Sequence, residues 1–148
     1  MSQFVMRVIS AISAVFVLPQ TVFNKGLKEL NQVEKTLVGL VVDHANDEDR
    51  ICLEDQLNEI NLVGFNAFGS GYEVGFQKIS GLLFINISRR KSLNYSGETT
   101  FGLWSGVDGN EKVLAKVFLI DGNLSSIRFS KKRIDVAAGA WVWTGVKP

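Results

Sequence analysis

The residue types best suited to catalysis occur once each in this chain, as His44 and Cys52. A thiolate–imidazole pair would require these side chains to meet, although they lie eight positions apart across an expected helix start. His44 could instead serve as a general base beside Asp43 or Asp47, but a solvated loop histidine is the simpler interpretation. One histidine and one cysteine are also too few for a His/Cys metal site. We therefore predict no catalytic residue, no metal and no cofactor, and interpret the protein as non-enzymatic.

Neither a phosphate-binding loop nor a pair of catalytic carboxylates is indicated by the sequence. The glycine-rich segment Phe68–Gly71 lacks the lysine and the strand-to-helix context of a phosphate-binding loop, and its flanking aromatic residues favour a hairpin turn. Carboxylates between Asp43 and Glu59 could form the pairs that glycoside hydrolases use, but their spacing does not distinguish an acid from a base. These residues therefore indicate no reaction class.

Two basic clusters, Arg89–Lys91 and Arg128 with Lys131–Arg133, could contact phosphate groups. Tyr95 or Trp104 could provide a stacking platform for a base. However, the formal net charge is only +1, so the whole molecule has no field that would attract nucleic acid or acidic lipid. We interpret both clusters as solvated charge and expect no nucleic acid partner.

The most unusual charge feature is the segment from Asp43 to Glu59, in which seven carboxylates are opposed mainly by Arg50. Like charges on one short element repel each other, whereas a complementary potential would speed encounter with a basic partner and fix its orientation. An aromatic side chain could form the buried centre of such an interface. A solvated helix start is the alternative interpretation. The predicted partner-binding residues are Asp47, Glu48, Asp49, Glu54, Asp55, Tyr72, Trp141 and Trp143.

Helical periodicity dominates the part of the chain that precedes residue 61. Apolar residues at three- and four-residue intervals predict an amphipathic helix over Thr21–Val42, whose first residue can serve as the N-cap. A second, shorter helix is predicted over Asp47–Ile60, because Leu53 and Leu57 have helical spacing and acidic residues suit the positive end of the helix dipole. A strand through Ile51 and Leu53 is the alternative.

Residues after position 61 alternate between apolar and polar with period two, which is typical of strands. Short connections between these strands require antiparallel neighbours, since parallel pairing needs long crossovers. A single helical turn is predicted over Asp135–Ala140, followed by a terminal strand that places Trp141 and Trp143 on one face. The other predicted strands are Val63–Ala67, Tyr72–Phe76, Leu82–Ser88, Thr99–Trp104, Val113–Leu119 and Leu124–Phe129.

The clearest hairpin lies between Lys112 and Lys132, where two β-rich runs flank Asp121–Asn123. A two-residue turn would pair Phe118 with Ser125 and mix apolar with polar side chains on one face. We prefer a three-residue loop, because a one-residue slip moves every side chain to the opposite face. That register gathers Val113, Ala115, Val117, Leu119, Ile127 and Phe129 into one apolar wall and leaves Lys116, Ser126 and Arg128 facing water.

Together these elements predict an α+β fold in which N-terminal helices pack on one face of a largely antiparallel meander sheet of about five to seven strands. At 148 residues the chain can bury roughly two thirds of its unfolded surface, so we expect a single domain over residues 1–148. The uncharged run Val8–Leu18 is too short to cross a bilayer, which takes about 20 apolar residues. We expect a cytoplasmic protein without a membrane span; secretion with this run as a signal-peptide core is the alternative.

The segment from Val117 to Gly139, VFLIDGNLSSIRFSKKRIDVAAG, resembles the closing segment of many NTF2-like domains, where an Asp-Gly hairpin precedes a short alanine-rich turn. From Trp141 onward the chain departs from that pattern. The resemblance implies a small-molecule-binding domain or enzyme, and its apolar pocket between helices and sheet would here be lined by Phe65, Phe76, Trp104 and Phe118.

The combination of small size, helices before a sheet, an Asp-Gly hairpin and an acidic segment is also similar to bacterial toxin-immunity proteins. Fold analogy alone does not settle function. Together with the missing catalytic residues, however, this resemblance leads to our main hypothesis. The protein is expected to be a binding module that neutralises a toxin by docking the toxin's basic domain through an acidic surface.

Overall fold

The computed structural model describes residues 26–80, 83–85 and 92–145. Within them lie two α-helices followed by seven strands, which confirms the predicted α+β order. The elements are α1 Gln32–His44, α2 Asp47–Glu59, β1 Leu62–Phe68, β2 Gly71–Ser80, β3 Leu83–Ile85, β4 Glu98–Asp108, β5 Glu111–Ile120, β6 Asn123–Phe129 and β7 Val142–Trp143. In these residues no helix is long and apolar enough to cross a membrane. The expectations for Val8–Leu18 and Arg89–Lys91 lie outside the described residues.

Helix α1 begins at Gln32. Residues 26–31, the first described part of the predicted helix Thr21–Val42, are not α-helical, so the prediction is wrong there. Asn31 ends the preceding segment by forming a capping box with Glu34: Asn31 Oδ1 accepts from the Glu34 amide at 2.9 Å, and Glu34 Oε2 accepts from the Asn31 amide at 2.8 Å. Upstream, Gly26–Glu29 forms a 3₁₀ turn in which Gly26 has φ +24° and lies against the Ile60 carbonyl.

Helix α2 confirms the second predicted helix, and the alternative strand through Ile51 and Leu53 is wrong. Asn46 caps this helix, because its Oδ1 accepts from the Asp49 amide at 2.9 Å. The acidic residues of its first turn lie where the helix dipole favours negative charge. Local capping and electrostatics therefore agree with the helical spacing of the buried residues.

The strands form one seven-stranded sheet in the order β1-β2-β6-β5-β4-β7, with β3 paired to β2, and all pairs are antiparallel. Sequential neighbours pair within the β1–β2 hairpin and within the β4–β5–β6 meander. The two units are joined by the pairing of β2 with β6, which lie far apart in the sequence. The terminal strand β7 adds two residues to the outer edge of β4.

The β5–β6 hairpin combines features of both turns considered from sequence. Asp121 and Gly122 form a two-residue turn with φ +48° and +74°, so the predicted three-residue loop is wrong. A bulge then shifts the register, so that Leu119 pairs with Leu124 but Val117 pairs with Ile127. The extra bulge residue restores the apolar wall that the longer loop was meant to produce.

The two helices cover one face of the sheet, and the main core lies between the helices and that face. Helix α1 contributes buried Leu37 and Val41, and α2 contributes buried Leu53 and Leu57. The sheet side of this core is formed by Val74, Trp104, Val113, Ala115, Val117, Leu119, Leu124, Ile127 and Phe129. Ser126 lies on the opposite face but is buried, which corrects the expectation that it faces water.

Gln56 fixes α2 to the tip of the β5–β6 hairpin. Its buried side-chain amide donates to the Gly122 carbonyl at 3.0 Å and accepts from the Leu124 amide at 2.8 Å. Both bonds satisfy buried backbone groups near the turn, where the strand ladder ends. The position of α2 on the sheet therefore depends on a polar contact as well as on apolar packing.

Candidate functional site

The outer face of α2 carries an apolar side chain surrounded by carboxylates. Ile51 is 63% exposed, and acidic residues lie four and three positions before it and three and four positions after it. Residues at these spacings are neighbours on a helix surface. Of the four carboxylates, three are exposed and Asp55 is half-buried. We call this set the acidic surface; it consists of Asp47, Glu48, Ile51, Glu54 and Asp55.

Packing on the opposite side of α2 determines which residues form the acidic surface. Leu53, Gln56 and Leu57 are buried against the sheet, so the exposed positions of the helix lie on the side away from the core. Asp49, which was also predicted to bind a partner, takes part in the helix cap, where Asn46 Nδ2 donates to Asp49 Oδ2 at 3.0 Å. The hydrogen bonds of the cap thus separate Asp49 from the other four predicted carboxylates.

A pocket of about 260 Å³ lies beside the corner between α1 and α2. The exposed ring of Trp143 contacts His44 at a centroid distance of 4.0 Å with the planes tilted by 36°, and His44 meets the buried ring of Trp104 edge-on at 6.0 Å. We call this the indole pocket, because three tryptophans contribute to its wall. It is lined by Leu40, Asp43, His44, Trp104, Trp141 and Trp143.

The three aromatic residues predicted as partner contacts have different environments. Trp143 is 44% exposed, whereas Trp141 is only 7% exposed and packs against Phe129 at a centroid distance of 6.4 Å. Tyr72 is half-buried, and its ring stacks on that of Phe129 as well, with a centroid distance of 4.8 Å. Trp141 and Tyr72 therefore belong to the core side of the sheet. Of the three, Trp143 is the most exposed, and the role of these residues as partner contacts stays a prediction.

Tyr72 connects the sheet to the capping box of α1. Its hydroxyl donates to Glu34 Oε1 at 2.9 Å, and that carboxylate oxygen also accepts from Asn31 Nδ2 at 2.9 Å. Glu34 is buried, so these donors replace water around it. Burial first, and then the hydrogen bond and charge of Glu34, raise the pKa of Tyr72.

Replacing Tyr72 with phenylalanine is expected to lower the free energy of unfolding by about 1 kcal/mol at neutral pH, because Glu34 loses a donor. The raised pKa means that the folded protein keeps the phenolic proton after the unfolded chain, with a tyrosine pKa of about 10, begins to release it. Stability from this proton is complete below about pH 10 and is lost as the pH rises further.

Urea denaturation of both proteins, at neutral pH and above about pH 10, measures this effect. The stability difference between wild type and variant should shrink at the higher pH, since only the wild type loses the tyrosine contribution. A difference that stays constant would contradict the assignment.

The two residues considered for catalysis occupy separate environments. His44 contacts the rings of Trp143 and Trp104, whereas Cys52 is half-buried and its Sγ accepts from Gln56 Nε2 at 3.5 Å. No hydrogen bond joins His44 to Cys52 in the part of the chain that the structure describes. The geometry of these two side chains therefore gives no nucleophile–base pair.

A shallow groove of about 480 Å³ lies on the sheet face opposite the helices. There the guanidinium of Arg128 lies 4.6 Å from the ring centre of Phe68 and 4.2 Å from that of Phe118, and its Nε pairs with Glu73 at 3.0 Å. Phe118 thus lies across the sheet from Trp104. Residues on opposite faces cannot line one pocket between helices and sheet, so the assignment of Phe118 and Trp104 to a common pocket is wrong.

Sequence reasoning missed Ile51, Asp43, His44 and Leu40 as residues of these surfaces. A helical projection of α2 that places Leu53 inward would have identified Ile51 as an outward apolar residue. By contrast, no local pattern links the end of α1 with a tail strand about a hundred positions later. Comparison with known proteins found no matching family model, no matching curated protein and no matching solved structure.

Proposed function

We propose that this protein is a non-enzymatic binding module that docks a basic protein domain on its acidic surface, and that it acts as a bacterial immunity protein neutralising a toxin. The observation that carries the proposal is the exposed Ile51 with four carboxylates around it. Specific interfaces commonly have an apolar, desolvated centre within a polar rim. The acidic surface has this arrangement on a single rigid helix.

Charge asymmetry supports a basic partner. Helix α2 carries six carboxylates and one arginine, although the whole chain has a formal net charge of +1. The local field would attract a positively charged domain and orient it toward α2, while distant parts of the molecule would not. Burying Ile51 under that domain would then add roughly 1–2 kcal/mol of binding free energy.

The basic charge expected of the toxin domain indicates what kind of substrate the toxin acts on. A domain that acts on nucleic acid or another polyanion must itself present a basic surface. A protein with a carboxylate-rich helix can cover that surface and exclude the substrate without any reactive group of its own. This mode of inhibition is compatible with the environments of His44 and Cys52.

The proposal is tested with a toxin domain encoded beside this chain. The purified domain should form a stable complex with the protein, and a stoichiometric amount of the protein should abolish its toxic activity. Complex formation should weaken as the salt concentration rises, because the encounter is electrostatic. Absence of a complex, or a complex that leaves toxin activity unchanged, would reject the immunity function.

Replacing Ile51 with threonine is expected to weaken the complex roughly tenfold, because the apolar centre of the interface becomes polar. Folding stability should change by less than about 0.5 kcal/mol, since the side chain is already exposed. Val107 is 59% exposed on β4, so Val107→Thr serves as the matched control and should bind normally. Isothermal titration calorimetry of both variants provides the measurement; equal affinities would exclude Ile51 from the interface.

A further inference from the structure

All three tryptophans of the chain line the indole pocket, together with the carboxyl-bearing residue Asp43. Aromatic faces attract cations through their quadrupole, and indole is the strongest of the natural side chains in this respect. A nearby carboxylate adds a direct Coulombic attraction for the same ligand. Aromatic rings and a carboxylate in one pocket therefore favour an organic cation over a neutral or anionic group.

The exposed indole is positioned by one ring contact and by the pairing of its strand. Its ring contacts that of His44, and the strand that carries it pairs Trp143 with Trp104 on β4. The next residue, Thr144, donates to the Leu103 carbonyl from its amide at 2.8 Å and from its hydroxyl at 3.0 Å. The two-residue strand β7 is thus fixed at its end, so the pocket is already formed before a ligand arrives.

The indole pocket adjoins the acidic surface along the chain. Asp43 and His44 end α1, and Asp47 begins α2 three residues later, which limits the distance between the Cα atoms of His44 and Asp47 to roughly 11 Å. A basic domain docked on α2 would therefore bring its neighbouring side chains to the mouth of the pocket. The carboxylates attract such a domain, and the rings can hold one of its cations.

We propose that the indole pocket receives a lysine or arginine side chain of the docked partner and thereby fixes the register of the complex. The identity of the ligand as a partner side chain rests on the proposed function. The preference for a cation rests only on the pocket, so it can be measured on the protein alone.

The experiment uses the indole N–H signals in ¹H–¹⁵N NMR spectra of the full chain, which report on the pocket because every tryptophan lines it. The probes are N-acetyl-lysine amide, N-acetyl-arginine amide, and N-acetyl-norleucine amide as the uncharged analogue of lysine. Choline is a fourth probe that represents a free small-molecule cation. Trp143→Phe assigns the signal of the exposed indole.

The lysine or arginine amide should shift the Trp143 signal saturably, with roughly fivefold higher affinity than the norleucine amide. Asp43→Asn should reduce the affinity for the charged amide and leave the weak norleucine binding unchanged. Equal affinities for charged and uncharged amides would overturn the proposal. A response to choline without a response to either amino-acid amide would also overturn it, in favour of a free ammonium ligand.

These probes need no protein partner, so the two proposals fail separately. If the pocket distinguishes neither the lysine amide nor the arginine amide from the norleucine amide, the proposal is rejected whatever the toxin experiment shows. Conversely, if the pocket selects cations while no toxin domain binds the protein, the result rejects both the immunity function and the identification of the ligand as a partner side chain.

Discussion

Reversing Asp47, Glu48 and Glu54 to lysine is expected to weaken the complex with a basic partner at least about 100-fold. Each reversal replaces an attraction with a repulsion of about 1 kcal/mol or more at a partly solvated interface, so three together amount to about 3 kcal/mol. The variant keeps Asn46 and Asp49, which form the helix cap, so α2 should still form. Surface plasmon resonance should show most of the loss in the association rate at low salt.

The matched control changes net charge by the same amount at exposed carboxylates on other elements. Glu98, Glu111 and Asp135 are exposed and lie on β4, on β5 and in the tail. If the acidic surface is the docking site, their reversal should alter affinity only a few-fold through the overall field. Circular dichroism checks that both triple variants are folded. Equal losses in both would show that net charge, rather than the surface of α2, governs binding.

Replacing Gly122 with alanine is expected to lower the free energy of unfolding by about 3–4 kcal/mol. The residue has φ +74°, which costs an alanine about 1 kcal/mol, and a Cβ there would collide with the backbone of Leu93. Relieving the collision would disturb two hydrogen bonds that the Gly122 carbonyl accepts, from the Leu93 amide at 2.9 Å and from Gln56 Nε2 at 3.0 Å. The melting temperature should fall by roughly 10 °C.

Gly109→Ala is the control for this prediction. Gly109 lies in the other two-residue turn of the β4–β5–β6 meander with φ +61°, and a Cβ there has no neighbour within 4 Å. The expected loss is only the conformational cost, about 1 kcal/mol. Thermal and urea denaturation of both variants separates backbone strain from collision. Similar losses in the two variants would show that the contact between the hairpin tip and Leu93 contributes little.

Several features of the fold followed from local patterns. Helical spacing and the acidic first turn predicted α2 within one residue of its observed end, and period-two alternation predicted the β1–β2 and β5–β6 hairpins. These predictions succeeded because each depends on neighbours in sequence. The start of α1 was missed because Thr21 was preferred as a cap, whereas the reciprocal bonds of Asn31 and Glu34 end the preceding segment.

The β5–β6 hairpin shows how tertiary packing resolved a local conflict. Asp121-Gly122 favours a two-residue turn, while burial of Val117 and Ile127 on one face requires the register of a longer loop. Both demands are met by the bulge between them. Sequence patterns identified the two competing preferences, but their compromise appears only when the hairpin is packed against α2.

By itself, the sequence determined the type and order of the elements and the acidic character of α2, because these depend on residue periodicity and local charge. Only the tertiary structure decided that Ile51 lies among the carboxylates on an outward face, that Trp141 is buried while Trp143 is exposed, and that Trp143 contacts His44. The physical reason is that a repeating pattern specifies which side of a strand or helix is apolar. It does not specify which distant element covers that side, and the pairing of β2 with β6 and of β7 with β4 is a choice of that kind.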